Sequence, residues 1–338
     1  MTKIGVFQSG VGWSYNELRD YWVEADRLGF DSAWMMDNVV YPHPVTHEML
    51  DVFETWTVLP ALAEATKKIR MGPLVTPCRR RHPALLAKIT TTFDRISNGR
   101  LDLGLGPGDD PVYFRPWGMT YPRASIRIQA LREEIEVLRR MWTQKEANFQ
   151  GKYYTLTNAT NDPKPFQKPH PPIWIGLVLG KRVMPRVAAE LGDAINVWNG
   201  SDVAAQELLV AVEKRCKQIG RDFESIAKSR HVDVVFSDGG PGFAHHSLKD
   251  LFESPEQALE ERSATLDQQI ARMKVAKDAT KSEYVRVTTR FAFGNPDEIA
   301  ADLRKIAASG FDHLIVTGLE TIDDLRRFAE QVMPEVRR

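Results

Sequence analysis

Lys3-Ile-Gly-Val-Phe-Gln8, leading into Ser14-Tyr-Asn-Glu17-Leu18, sets the reading of the whole chain. A short β-rich run ends, and Ser14-x-x-Glu17 then offers a hydroxyl and a carboxylate that can each satisfy the other's backbone N–H at a helix start. Leu18, Trp22 and Ala25 fall on one face of that helix. The same strand-then-helix grammar recurs down the chain. Strands are expected over 31–37, 69–75, 100–106, 172–176, 193–198, 232–236 and 311–317, where apolar and β-branched residues concentrate. Helices are expected over 52–66 with a bend at Pro60, from Pro83 to the stop signal Ser97-Asn-Gly99, and over 181–191. The clearest helix is marked by Ile128, Leu131, Ile135, Leu138 and Trp142, and another by Leu208, Val212, Cys216 and Ile219. Ser254-Pro-Glu-Gln257 and Asn295-Pro-Asp-Glu298 each place a cap, a first-turn proline and an N3 acceptor in order, the former opening a helix with Leu259, Leu266, Ile270 and Met273 inward. A last helix carries Leu325, Phe328 and Val332.

Eight such units in 338 residues predict one (β/α)8 barrel domain over 1–338, with insertions near 38–50, 107–122, 147–171 and 238–290. The insertion at 147–171 includes an expected hairpin at Asn148-Phe-Gln-Gly-Lys-Tyr-Tyr154. The rival is an open doubly wound sheet. It would need a G-x-G-x-x-G turn after the first strand, whereas Gly104-x-Gly106-x-Gly108 follows the fourth and has the wrong spacing.

Lys plus Arg and Asp plus Glu both number 45, so the formal charge is 45 − 45 = 0 and no polymer-scale electrostatic surface for nucleic acid or an anionic membrane is expected. Cys78 and Cys216 cannot build a disulfide framework, which fits a reducing cytoplasm. No apolar run approaches the roughly 20 residues of a spanning helix, so a soluble chain is expected. His43 and His47 stand four apart but in a proline-containing loop without HExxH, so no metal is expected.

In a barrel, chemistry belongs to the C-terminal ends of the strands. The end of strand five reads Gly176-Leu177-Val-Leu179-Gly180-Lys181-Arg182 and runs into a helix. Free backbone N–H groups, the helix dipole and two cations there make a phosphate seat, the alternative being an ordinary turn with Lys181 and Arg182 solvated. Arg79-Arg-Arg-His82 is a second basic run, read either as a solvated loop or as a contact for an acidic cofactor tail. Asp37-Asn38 and Asp109-Asp110 bring carboxylates to neighbouring rim positions, for proton transfer or for turn capping. Trp13, Trp117, Trp174 and Trp198 lie near strand ends, where aromatics wall a flat ring or fill rim gaps.

Several motifs, in order, resemble one family. Glu54-x-Trp56-x-x-Leu-x-Ala-Leu-Ala63, Gly72-Pro-Leu-Val-Thr-Pro77, Arg81-His-Pro-Ala84, Asp94-x-x-Ser97-x-Gly-Arg100 and Gly104-Leu-Gly-Pro-Gly108 follow the order of the bacterial luciferase-like flavin and deazaflavin oxidoreductases. Met141-Trp142, Gly151-Lys-Tyr-Tyr154 and Gln167-Lys-Pro-His-Pro-Pro-Ile173 extend the resemblance over nearly the whole chain apart from 238–290. Asn161-Asp-Pro-Lys-Pro-Phe-Gln-Lys-Pro-His-Pro-Pro172 looks most like the branch that uses the 5-deazaflavin coenzyme F420.

The resemblance implies a luciferase-like (β/α)8 barrel that moves a hydride between F420 and a small organic substrate: an unsaturated carbonyl, an imine, a nitroaromatic or an alcohol. It implies a cis peptide at Leu74-Val75 behind the tricyclic ring, Gly106-Pro107-Gly108 passing close beneath it, and a phosphate seat at Gly176 to Arg182. Asp109 stands at the family's acidic position after strand four and is the expected proton-transfer group. Asn38 and Gln8 would orient carbonyls, Asp37 would hydrogen-bond the cofactor, and Trp13 and Trp198 would meet substrate. The family's usual Asp-His pair after strand two is Asp37-Asn38 here, which removes an imidazole acid/base and argues against a sugar-phosphate or alcohol dehydrogenase. Leu177, Val178 and Leu179 also replace the usual run of glycines in the phosphate loop. The alternatives are an FMN-dependent monooxygenase fed by a partner reductase and, below that, a non-catalytic flavin- or F420-binding barrel. A homodimer is expected.

Overall fold

The computed structural model describes residues 1–42, 48–108, 110–178, 180, 182–198, 200–237, 268 and 290–338. Along the chain run β1 (Lys3–Phe7), α1 (Tyr15–Leu28), β2 (Ser32–Met35), α2 (Thr55–Ala65), β3 (Arg70–Pro73), α3 (Pro83–Ile96), β4 (Leu103–Gly106), α4 (Ala124–Thr143), β5 (Ile173–Leu177), α5 (Val183–Leu191), β6 (Ala194–Val197), α6 (Asp202–Ile219), β7 (Ala227–Phe236), α7 (Pro296–Ala308), β8 (His313–Thr317), α8 (Ile322–Gln331) and α9 (Met333–Arg337). They gather into two compact units: Met1–Gln8, Glu24–Ala33 and Leu177–Arg338 form the first, Ser9–Val23 and Trp34–Gly176 the second.

In the first unit β1, β8, β7 and β6 pair in that order, all parallel. Ile4, Val6, Val232, Leu314 and Val316 are buried there, each worth about 1.5–3 kcal/mol for an aliphatic side chain withdrawn from water. β7 begins at Ala227 rather than at the expected Val232. Lys228, Ser229, Arg230 and His231 look like a polar loop, yet all four are buried. Three have local partners: Lys228 Nζ reaches Glu224 at 3.0 Å, Ser229 Oγ donates to the Ile195 carbonyl at 3.0 Å, and Arg230 donates to the Val197 carbonyl at 3.2 Å. A short strand that the sequence did not announce, Phe291–Gly294, pairs with β7. The expected box at Asn295 opens α7.

In the second unit β5, β4 and the short segment Thr76–Pro77 pair in parallel. The helix expected over 52–66 starts at Thr55, because the Glu54 carboxylate caps it by accepting from the Thr57 N–H at 2.7 Å, and it continues through Pro60. The expected insertions contain small antiparallel pairs, Tyr41–Pro42 with Met49–Leu50 and Ala147–Gln150 with Thr155–Ala159. The peptides Asp162-Pro163 and Lys168-Pro169 are cis. The expected helix after Ser254 lies outside the described residues, as does most of the insertion at 238–290.

Candidate active site

In the second unit the Leu74-Val75 peptide is cis, as the resemblance implies. The Leu74 N–H donates to the Met35 carbonyl at 2.8 Å, which fixes where the bulge leaves β3. Three glycines make room for it. A Cβ on Gly104 would stand 2.1 Å from the Pro73 carbonyl oxygen, one on Gly106 2.6 Å from Val75 Cγ2, and one on Gly176 3.2 Å from Val75 Cγ1. Strands four and five therefore press their backbones against one side of Val75, while the residue itself is half-buried and keeps apolar surface for a second neighbour. That is a fitting bed for a flat ring.

Asp37 lies beside this bulge, fully buried and already engaged. It accepts from Arg81 at 2.6 Å and Thr76 Oγ1 at 2.9 Å, and Arg80 stands 3.7 Å away. Arg81 also binds Glu54. Burial works against the Arg81 charge, but Asp37 and then Glu54 outweigh it and hold the guanidinium more firmly protonated than usual. Arg80 lies 4.9 Å above the Phe114 ring. Arg80 and Arg81 are thus engaged with Asp37 and Glu54, while Arg79 turns to Thr120 and lies 6.0 Å from the Tyr153 ring. Asn38 is half-buried and its Nδ2 approaches Met36 Sδ at 3.2 Å.

Pro107 and Gly108 are held by a residue that the sequence alone did not single out. Arg127 donates to the Pro107 carbonyl at 3.0 Å and the Gly108 carbonyl at 3.2 Å, and packs 3.9 Å over Tyr121. On an amphipathic helix it reads as a surface arginine. Gly108 has φ 81°, a conformation that disfavours any side chain. Asp109, the next residue, lies outside the described residues. Beneath Arg79 sits Glu134, 1% exposed, whose carboxyl burial pushes up to about 8 against the opposing Arg79 N–H and arginine charges. Trp13 packs edge-on against Tyr21 at 5.2 Å.

In the first unit the loop after β5 enters α5 through Arg182, whose side chain makes no cap hydrogen bond; among the described residues the first-turn N–H groups of α5 can face an anion. Gly180 has φ 124°. Leu177 is buried and its carbonyl accepts from the Trp198 N–H at 3.0 Å. Leu179 and Lys181 lie outside the described residues. Gln8 is buried at the end of β1. Trp198 stacks on His231 at 3.8 Å and 23°, and Phe7 meets both rings edge-on. His231 and Asp233, both 3% exposed, were not singled out from the sequence, although a carboxylate between Val232 and Val234 in an apolar strand was a readable signal.

Among the described residues no helix is long and apolar enough to cross a membrane, and no cluster of His, Cys, Asp and Glu could hold a metal. The F420-dependent glucose-6-phosphate dehydrogenase of Amycolatopsis mediterranei is 26% identical over 100% of this chain and 99% of its own. That of Segniliparus rotundus is 29% identical over 99% and 98%. Among solved structures, an F420-dependent secondary alcohol dehydrogenase in complex with an F420-acetone adduct superposes with a TM-score of 0.80 at 19% identity, covering 100% of this chain and 99% of that one. The coenzyme F420-dependent tetrahydromethanopterin reductase of Methanopyrus kandleri gives 0.78 at 21%, covering 99% of each. The fold is the (β/α)8 barrel expected from the βα rhythm. With the family's sequence model matching residues 2–313, this chain belongs to the luciferase-like monooxygenase family.

Proposed function

We propose that the chain is an F420-dependent oxidoreductase that transfers a hydride between the deazaflavin and a small organic substrate. The observation that carries this is the Val75 bulge on its bed of Gly104, Gly106 and Gly176, in a chain whose full-length relatives are named F420-dependent dehydrogenases. When bound, F420 supplies a two-electron hydride carrier, so the protein's task is orientation and proton management. Val75 supports the ring, the α5 N-terminus with Lys181 and Arg182 receives the phosphate, and Leu177, Leu179 and Gly180 complete that loop. The carbonyls of Pro107 and Gly108, tied down by Arg127, set the entry to Asp109. Asp109 exchanges the proton that accompanies hydride transfer, Asn38 and Gln8 orient polar substrate groups, and Trp13 and Trp198 contact substrate. Asp37 acts on the cofactor through the arginines it holds. The enzyme works as a cytoplasmic homodimer.

The test has two arms. Charge reversal by Arg182→Glu should weaken F420 binding, followed by cofactor fluorescence, by about tenfold or more, since one favourable contact at a helix N-terminus becomes a repulsion. Asp109→Asn should lower kcat by about 10² to 10⁴ while changing F420 affinity only a few-fold. Unchanged affinity in the first variant, or unchanged rate-limiting hydride transfer in the second, would refute the corresponding assignment.

A further inference from the structure

The inward face of β7 carries two buried polar groups that the structure does not satisfy. Among the described residues, Oδ1 of Asp233 and Nδ1 of His231 have no hydrogen-bond partner, which is costly for polar atoms withdrawn from water. Residues two apart on a strand share a face, so Asp233 projects beside His231 toward the side walled by Trp198 and Phe7. Asp233 lies in register with Thr317, the last residue of β8, three residues before the C-terminal end of β7. Thr317 and Trp198 are half-buried, so the face has an open edge.

We propose that this face is a substrate subsite in which Asp233 donates a hydrogen bond to the carbonyl oxygen or imine nitrogen of an uncharged planar molecule, and which disfavours carboxylated or phosphorylated ones. The proposal deepens the hydride-transfer reading and rests on it. The surrounding charges agree. Burial raises the Asp233 carboxyl well above the usual range, the Glu320 charge acts in the same direction, and Arg230 only partly opposes them. A protonated carboxyl is a donor. His231 stays uncharged, because burial and then Arg230 bring it down to about 3. Among the described residues the nearby cations are committed elsewhere: Arg230 points to the Val197 and Gly200 carbonyls, Lys228 pairs with Glu224 at 3.0 Å, and Arg290, whose carbonyl takes the Asp233 N–H, is clasped by Asp202 and Asp302 at 2.8 and 2.9 Å. A neutral acceptor laid against Trp198 satisfies the orphaned carboxyl; an anion finds no counter-charge on these side chains.

Binding of 2-cyclohexen-1-one to the full chain, measured calorimetrically between about pH 5 and 9 with and without F420, tests this. Wild-type affinity should fall about tenfold per pH unit above the Asp233 titration. Asp233→Asn, whose amide still donates, should bind with no such titration. Glu320→Gln should move the midpoint to lower pH by relieving the like charge. The analogue 3-oxocyclohex-1-ene-1-carboxylate should bind the wild type at least about tenfold more weakly than the ketone. An Asp233→Asn variant that keeps the wild-type titration, or equal affinity for the carboxylate, would overturn the subsite. F420 affinity is read separately by fluorescence: its loss with the Asp233 titration intact would refute the hydride-transfer reading and leave the subsite standing.

Discussion

Replacing Gly106 by alanine isolates the packing beneath the Val75 bulge. The new Cβ would lie 2.6 Å from Val75 Cγ2, far inside van der Waals contact, so Val75 or the end of β4 must yield. Gly106 does not occupy the left-handed region, so the substitution carries no penalty for its φ and the effect is steric. Overpacking of this kind costs about 1–3 kcal/mol. Val75→Ala removes both Cγ atoms, after which the nearest Val75 atom to the new methyl is its Cβ at 3.8 Å, an ordinary contact. Val75 is half-buried, so its truncation alone should cost about 1 kcal/mol or less. The double variant should therefore be little less stable than Val75→Ala, giving a coupling of about 1–3 kcal/mol, where independent sites add to within about 0.5. Urea unfolding followed by tryptophan fluorescence, with matched m-values, measures the cycle. Additive costs would show that Gly106 and Val75 do not press on one another. F420 affinity adds a functional reading: the double variant should recover stability while binding F420 more weakly than wild type, since Val75 supports the ring.

Three further outcomes are expected. Arg81→Met leaves the buried Asp37 carboxylate with Arg80 at 3.7 Å as its remaining cation, and should cost about 3–5 kcal/mol in urea unfolding; a loss below about 1 kcal/mol would show the network to be idle. Glu134 is raised to about 8 in the folded chain from an ordinary 4.5, so the native state keeps a proton that the unfolded state releases between those values. Its stabilising contribution is complete below about pH 4.5 and is lost as pH rises toward about 8. Glu134→Gln should therefore raise Tm more at pH 8 than at pH 5, and an equal shift at both would contradict the sign. Arg127→Met frees the Pro107 and Gly108 carbonyls and should lower kcat by about tenfold or more through misplacement of the following acid, with F420 Kd changed only a few-fold; a change confined to Kd would reassign Arg127 to cofactor binding.

The order of elements was legible because alternating short apolar runs and amphipathic segments leave their periods in the sequence, and because caps such as Asn295-x-x-Glu298 announce helix starts. β7 was half-legible, since Lys228, Arg230 and His231 hide a strand whose polar side chains are met partly by neighbours remote in sequence, such as the Val197 carbonyl for Arg230 and, for Ser229, the Ile195 carbonyl. The same blindness covered the site. Asp37 and Arg81 read as separate rim charges, but 44 residues of separation conceal that each consumes the other. Arg127 looked like helix surface because its partners are loop carbonyls 19 and 20 residues upstream. The bulge at Leu74-Val75 came from resemblance, since no propensity marks a cis bond between two aliphatic residues.

The cofactor assignment is tested most directly by titrating the apo protein with F420 and with FMN under one buffer and comparing dissociation constants. The account requires F420 to bind more tightly, with reduced F420 passing its hydride to an organic acceptor and little oxygen consumed. FMN bound tenfold or more tightly than F420, with oxygen uptake on reduction, would contradict it and make the chain a flavin monooxygenase.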